Sequence, residues 1–161
     1  MSRVRLVGIG PGHPGLATVQ AVEAIKDAEI IRCCDGCGAA LLHLASAHAD
    51  IGPLESAEEV VRLARTGRKV AVLFPGNPYA FSNGSDIAEK LERAEIDFEA
   101  VPGLIVELAA PVMSGIPLTI EGAVRDDRLR TGQGRRDSRA ASGLRLVEVG
   151  HHRADGRRQD A

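Results

Sequence analysis

The sequence predicts an α/β fold: a mostly parallel sheet flanked by helices. Three observations predict it. Short apolar runs of strand type alternate with segments of helical periodicity, the pattern of a sheet covered on both faces. Gly/Pro-rich stretches follow the first, third and fourth of four predicted strands. The chain has 161 residues, 44% of them hydrophobic, which is enough for one buried core and excludes wholesale disorder. In such sheets ligands bind at the carboxyl ends of the strands. The informative loops are therefore residues 8–15, 75–81 and 102–106.

The elements follow in order. Residues 4–7 read as a short apolar strand, running into a loop too rich in Gly and Pro for regular structure. Thr18 opens a helix to about Ala28, with Ala21, Val22, Ile25 and Ala28 on one face. Residues 29–32 form a second strand, and residues 41–47 are weakly helical. Ser56-Ala-Glu-Glu59 is a capping box, in which hydroxyl and carboxylate each satisfy an orphan backbone N–H. Val60, Leu63 and Ala64 continue that helix and Gly67 ends it. Residues 69–74 are the clearest strand. Ser85 caps the next helix, with Ile87, Ala88 and Leu91 inward, ending near Ala94. Residues 98–101 form the fourth strand, stopped by Pro102-Gly103. Residues 105–113 form a short apolar helix that Pro111 bends or ends.

Composition excludes several classes. No run of 18 apolar residues exists, and the longest uncharged runs, 6–22 and 70–85, are broken by Gly and Pro, so no membrane span is expected. Residues 1–5 before a Gly/Pro loop do not make a signal peptide. Three cysteines do not build a disulfide framework. A cytoplasmic location is the expectation. The net charge of −2 hides an asymmetry: residues 1–121 carry ten Lys+Arg and sixteen Asp+Glu, residues 122–161 ten Arg and six acids. All lysines and aromatics lie in the first segment. The second is Arg/Gly-rich, without aromatics, and reads as a solvated, disordered tail rather than a nucleic-acid arm.

Gly10, Gly12 and Gly15 match a dinucleotide-binding Gly-x-Gly-x-x-Gly, and Glu29 stands near where the acidic partner of that motif belongs. That motif binds pyrophosphate through backbone N–H groups, and Pro11 and Pro14 each delete one. What remains is a stiff turn rich in carbonyls, which suit a cationic or neutral ligand better than a phosphate.

Val4-Arg-Leu-Val-Gly-Ile-Gly-Pro-Gly-His-Pro-Gly15 resembles the amino-terminal motif of the S-adenosylmethionine-dependent tetrapyrrole methylases. Phe74-Pro-Gly-Asn-Pro-Tyr-Ala-Phe81 resembles their central Gly-Asp-Pro loop, and Phe98-Glu-Ala-Val-Pro-Gly103 the strand and turn before their cofactor-contacting residues. Leu108-Ala-Ala-Pro-Val-Met-Ser-Gly-Ile-Pro-Leu-Thr119 is closest to the uroporphyrinogen-III C-methyltransferases of that family. Four motifs in one order and spacing cover roughly residues 3–119. The resemblance implies the amino-terminal, cofactor domain of that fold over residues 1–121. Residues 122–161 are then a tail or a remnant of the second domain.

The resemblance further implies S-adenosylmethionine as methyl donor and C-methylation of a uroporphyrinogen-III-like tetrapyrrole, in the route to sirohaem or cobalamin. Pro11 would border the cofactor from the first loop. Pro75, Gly76 and Asn77, with Ala80 beyond, would line it from the central loop, and Ile105 and Val106 after Pro102-Gly103. Asp35 matches an acidic residue of many relatives and would handle a pyrrole N–H or ring proton; from the residues alone it reads as a loop-capping or solvated carboxylate. Relatives are homodimers, so a homodimer is one expectation and the oligomeric state stays open.

The chain departs from the family at Asn77, where Asp is usual, and at Ile105, where a Ser or Thr hydroxyl is usual. The segment between Asp35 and Ser56 is short and lacks a basic, His-containing substrate loop. Only about 40 residues follow Thr119, where the family has a second domain as large as the first. Their composition is what reading a GC-rich gene out of frame would give, although residues 144–149 read as one strand. A non-catalytic cofactor-binding module is thus a second reading. A methylase of another acceptor, such as protein histidine or rRNA ribose, is a third, and a Rossmann-type nucleotide binder a fourth.

Other residues have blander readings. Cys33, Cys34 and Cys37 read as plain thiols rather than a redox pair or zinc site, and no metal site is expected. His13 reads as a surface group and His151-His152 as exposed. Tyr79 and Phe81 either stack on an adenine or fill the sheet end.

Overall fold

The computed structural model describes residues 4–118. The expectations for the tail, for a strand at 144–149 and for His151-His152 lie outside the described residues. Five strands form one parallel sheet: β1 (Val4–Gly8), β2 (Ile30–Cys33), β3 (Asp50–Pro53), β4 (Val70–Phe74) and β5 (Phe98–Val101). Their spatial order is β3-β2-β4-β1-β5. Four α-helices connect or follow them: α1 (Val19–Asp27), α2 (Ala57–Ala64), α3 (Gly84–Arg93) and α4 (Val106–Met113). Short 3-10 helices occupy Pro14–Leu16 and Ala39–Leu44, the latter where the sequence reads as weakly helical.

The pleat divides the core between two faces. Val4, Leu6, Val70, Val72 and Phe74 point to α2 and α3, packing with Val60, Ile87 and Leu91. Val7, Ala71, Leu73 and Val101 point to the other face and pack with Ala21, Ile25 and Leu41. β4 is buried along its whole length, as a central parallel strand must be. Each large aliphatic side chain buried this way contributes about 1.5–3 kcal/mol. On α1 the buried set is Ala21, Ala24 and Ile25; Val22, expected inward, is only half-buried.

Start signals are built largely as expected. The Thr18 hydroxyl accepts from the Ala21 N–H, and the Ser56 hydroxyl from the Glu59 N–H. The reciprocal bond of the capping box goes one residue further out: Glu59 accepts from the Glu55 N–H at 2.9 Å. Ser85 is not a cap. Asn83 holds the N-cap position of α3, and Gly84 begins the helix because a β-carbon there would lie 2.1 Å from the Pro78 carbonyl oxygen. Pro111 does not end α4, which continues to Met113.

One strand is absent from the four-strand expectation. β3 is an edge strand of sequence Asp-Ile-Gly-Pro, mostly exposed, so it shows neither an apolar run nor alternation. It pairs with β2 from Ile30↔Asp50 to Cys33↔Pro53. Among the described residues no helix is long and apolar enough to cross a membrane.

Candidate functional site

The strand order sets the site. β4, β1 and β5 are neighbours, so the three Gly/Pro-rich loops leave the sheet side by side at its carboxyl edge. They touch through glycines. A β-carbon on Gly103 would lie 2.0 Å from the Gly76 carbonyl oxygen and 2.6 Å from Gly8 C. One on Gly8 would lie 2.6 Å from both Gly103 N and Gly76 O. Only hydrogen fits at this triple contact. Gly10 and Gly76 exchange main-chain hydrogen bonds, with Gly10 N–H to Gly76 O at 3.1 Å and Gly76 N–H to Gly10 O at 2.9 Å. Both have positive φ, +69° and +65°, which L side chains rarely adopt.

Asn77 follows this knot. Its Nδ2 donates to the Gly103 carbonyl at 3.3 Å, joining the β4 loop to the β5 loop. Its Oδ1 accepts from the Tyr79 N–H at 3.0 Å, an Asx turn. Ser82 Oγ donates to the carbonyls of Asn77 and Pro78. Thr18 Oγ1 donates to the Pro102 carbonyl at 3.3 Å and so fastens the start of α1 to the β5 loop.

The predicted cofactor residues divide into those brought together and those at the margin. Val106 comes within van der Waals reach of Gly76: a β-carbon there would lie 3.7 Å from Val106 N and Cγ2. Ile105 is the N-cap of α4, directly before it, and makes no side-chain cap bond. Pro11 sits between Gly10 and Gly12, both of positive φ. Ala80 bridges back to Asn77, its N–H donating to the Asn77 carbonyl at 3.3 Å. Tyr79 and Phe81 are more than half exposed, so neither fills the sheet end. Phe81 has φ +59°, unusual for a bulky residue.

Asp35 follows β2, outside the three glycine-rich loops. It lines a cleft of about 250 Å³ with Cys34, Leu54, Pro75, Phe81, Ser82 and Asn83. Pro75 is the predicted cofactor residue shared with it. The carboxylate is exposed, with room for a ligand, as the solvated reading expects. Leu54, Ser82 and Asn83 carried no motif; only their nearness to Asp35 in space singles them out.

The three cysteines are half-buried free thiols. Burial first, and neighbouring Cys33 and Asp35 next, push the Cys34 thiol up to about 12. Burial, with Cys33 and Cys34, likewise pushes Cys37 up to about 12. The Cys37 thiol donates to the Leu73 carbonyl at 3.0 Å. A nucleophilic redox cysteine needs the opposite shift. His13 is exposed as expected but has a job: its Nδ1 accepts from the Gly15 N–H at 3.0 Å, capping the first 3-10 helix.

The donor set decides which ligand chemistry fits. Residues 8–15, 75–84 and 102–106 contain no Lys or Arg. A pyrophosphate would meet no lysine or arginine and a sulfonium no such repulsion, while Leu104 and Val106 present exposed apolar surface. Glu29 removes the dinucleotide reading altogether. It precedes β2 at the sheet's amino edge, where its carboxylate accepts from the Lys69 N–H at 2.9 Å, at the opposite end from the glycine loop.

With this geometry in place, comparison with known proteins is decisive. The family model described as Tetrapyrrole (Corrin/Porphyrin) Methylases matches residues 3–154. The chain belongs to the tetrapyrrole methylase family. The match runs past Thr119, where the motif-by-motif resemblance stops, into the Arg/Gly-rich segment. An S-adenosyl-L-methionine-dependent uroporphyrinogen III methyltransferase of Methanosarcina barkeri is 37% identical over 129 residues, covering 73% of this chain and 51% of that protein. A uroporphyrinogen-III C-methyltransferase of Priestia megaterium is 36% identical, covering 74% of this chain and 55% of that protein. The chain thus spans about half the length of these relatives. The structure of uroporphyrin-III C-methyltransferase from Thermus thermophilus complexed with S-adenosylhomocysteine superposes with TM-score 0.67 at 30% identity, over 78% of this chain and 57% of that one. The tetrapyrrole methylase fold accounts for the adjacency of the three loops.

Proposed function

We propose that this chain binds S-adenosylmethionine at the three-loop site and C-methylates a uroporphyrinogen-III-like tetrapyrrole, in the route to sirohaem or cobalamin. One observation carries the reading: three glycine-knotted loops without a cationic side chain meet at the carboxyl edge of β4, β1 and β5, in a family whose relatives carry that activity by name. Residues 1–121 are the cofactor domain in this reading.

When bound, the cofactor supplies a methyl group activated by a positively charged sulfur. Pro11, Gly76 and Ala80 bring main chain close to it, with Pro75 at the border of the neighbouring cleft. Ile105 and Val106 supply an apolar wall at the start of α4. The Asn77 amide holds two of the loops at fixed spacing. Such positioning is a large part of catalysis in a displacement that needs nucleophile, methyl and leaving group aligned. Asp35, exposed in the cleft beyond Pro75, accepts a pyrrole N–H or a ring proton of the acceptor. In this proposal the reaction is cytoplasmic, with a small-molecule partner and no nucleic acid, and sedimentation tests for a homodimer.

Calorimetric titration with S-adenosylhomocysteine, with NAD as control, and a turnover assay with uroporphyrinogen III and S-adenosylmethionine test the proposal. Saturable binding of the former, none of NAD, and methylated product are expected. Binding without turnover leaves the non-catalytic module or another acceptor. No binding at millimolar concentration overturns the reading.

A further inference from the structure

We infer that Asn77 is a positioning residue that must be neutral: its side-chain amide ties the β4 loop to the β5 loop and so sets the spacing of the groups around the proposed cofactor. The inference rests on the cofactor reading and goes beyond it, because it assigns Asn77 a structural role between two loops of this chain, beside any contact with the ligand.

The amide uses both ends on the protein. Nδ2 donates to Gly103 O and Oδ1 accepts from Tyr79 N–H. A carboxylate is acceptor-only. At this position it would keep the Tyr79 bond but set an oxygen against the Gly103 carbonyl, about where Nδ2 now lies. The tie would become a repulsion between two acceptors. In this chain, restoring the family's usual Asp would therefore exchange the tie for a charge.

The backbone around Asn77 is held independently of its side chain. Gly10 and Gly76 exchange two main-chain bonds, and Ser82 Oγ donates to the Asn77 and Pro78 carbonyls. Substitution at Asn77 should leave the fold standing and act on loop spacing. The surroundings also make the test clean. Residues 8–12 and 102–106, which pack here, contain no titratable side chain; His13, Glu107 and the Asp35 of the adjoining cleft lie just beyond them, and Asn77→Ala, measured at both pH values, carries the same neighbours and corrects for them. Within 75–84 the sole titratable group is Tyr79, which burial, then Glu92, pushes above its ordinary value of 10.0. A carboxyl introduced at 77, held against the Gly103 carbonyl, would be pushed above its ordinary value of about 3.9 and so titrate within the range tested.

The experiment measures S-adenosylhomocysteine affinity by calorimetry, and melting temperature, for wild type, Asn77→Asp and Asn77→Ala at pH 4.5 and 8. Protonated Asp carries one O–H and can donate to Gly103 O as the amide does. At pH 8 Asn77→Asp should bind at least tenfold more weakly than wild type. At pH 4.5 the gap should shrink to threefold or less, while Asn77→Ala stays weak at both. Wild-type affinity in Asn77→Asp at pH 8, or a deficit of equal size at both pH values, overturns the inference. If wild type itself binds nothing, the cofactor reading fails while the tie is still judged by melting. A wild-type-minus-Asn77→Asp gap that widens from pH 4.5 to 8 supports it, and a pH-independent gap overturns it.

Discussion

Replacing Gly103 by Ala should damage both stability and the site, by an amount that follows from the glycine knot. The added β-carbon would lie 2.0 Å from Gly76 O and 2.6 Å from Gly8 C and O, where contacts under 3.0 Å force something to shift. The obstacle is backbone on two sides, so no side-chain rotation relieves it. At least one loop must move by about 1 Å, against the bonds that Gly10, Asn77 and Thr18 make across the knot. Overpacking of this kind typically costs about 1–3 kcal/mol, and a rigid backbone site belongs at the upper end. A loss of about 3 kcal/mol lowers Tm by roughly 10–20 °C in a domain of this size. The control is Gly38→Ala: Gly38 is extended at φ −66° and ψ 144°, and a β-carbon there meets nothing within 4 Å. It should be neutral or stabilise by up to about 1 kcal/mol. Calorimetric melting reads stability, and titration with S-adenosylhomocysteine reads the site, where Gly103→Ala should bind at least tenfold more weakly. A Gly103→Ala protein that melts and binds as wild type would refute the reasoning.

Three further outcomes follow from other parts of the molecule. Arg32→Met should destabilise by about 3 kcal/mol in urea unfolding, because it leaves the buried Glu59 carboxylate, 2.7 Å from Arg32 Nε, without its cation. The same pair sets an acid dependence. Burial pushes the Glu59 carboxyl up, but hydrogen bonds from Arg32 and Glu55 N–H and the Arg32 charge outweigh it, leaving the group below its ordinary value of 4.5. A depressed folded value adds stability that is complete above the unfolded one and lost as pH falls through the folded one. Tm should therefore fall with acidification below about pH 4.5, and less steeply in Glu59→Gln. Finally, Cys34 and Cys37, held near 12 against an ordinary 9.0, carry about a thousandfold less thiolate than free cysteine at pH 8. Native alkylation by iodoacetamide should be correspondingly slow and become fast in denaturant; rapid native labelling at either residue would contradict the burial.

Much of this molecule is written locally. β5 falls on residues 98–101 as read, and Thr18 and Ser56 cap the helices they announce, because strand hydrophobicity and capping chemistry are properties of neighbours in sequence. What fails is where a distant segment intervenes. β3 is a mostly exposed edge strand and so shows no apolar pattern, and Asn83 rather than Ser85 holds the α3 cap position, with Gly84 close against Pro78. The candidate site divides the same way. The three loops are legible as Gly/Pro runs, and their family pattern is legible as motifs. That they meet is a consequence of β4 and β5 flanking β1, and the Gly8–Gly76–Gly103 contact has no signature beyond glycines at strand ends. Asn77 reads as a ligand-facing polar residue, and its bond to the Gly103 carbonyl is visible only in the fold. Asp35 reads as a candidate of the same site, and that it lines a cleft with Pro75, Phe81, Ser82 and Asn83 is a matter of the fold.

The central claim is that the knotted loops form one cofactor site. Titrating S-adenosylhomocysteine into ¹⁵N-labelled protein and following backbone amide shifts tests it most directly. The account predicts saturable shifts concentrated in residues 10–12, 76–80 and 103–107, with the amides of β3 and the amino ends of the strands unmoved. Shifts confined to the Asp35 cleft, or none at millimolar ligand, would contradict it.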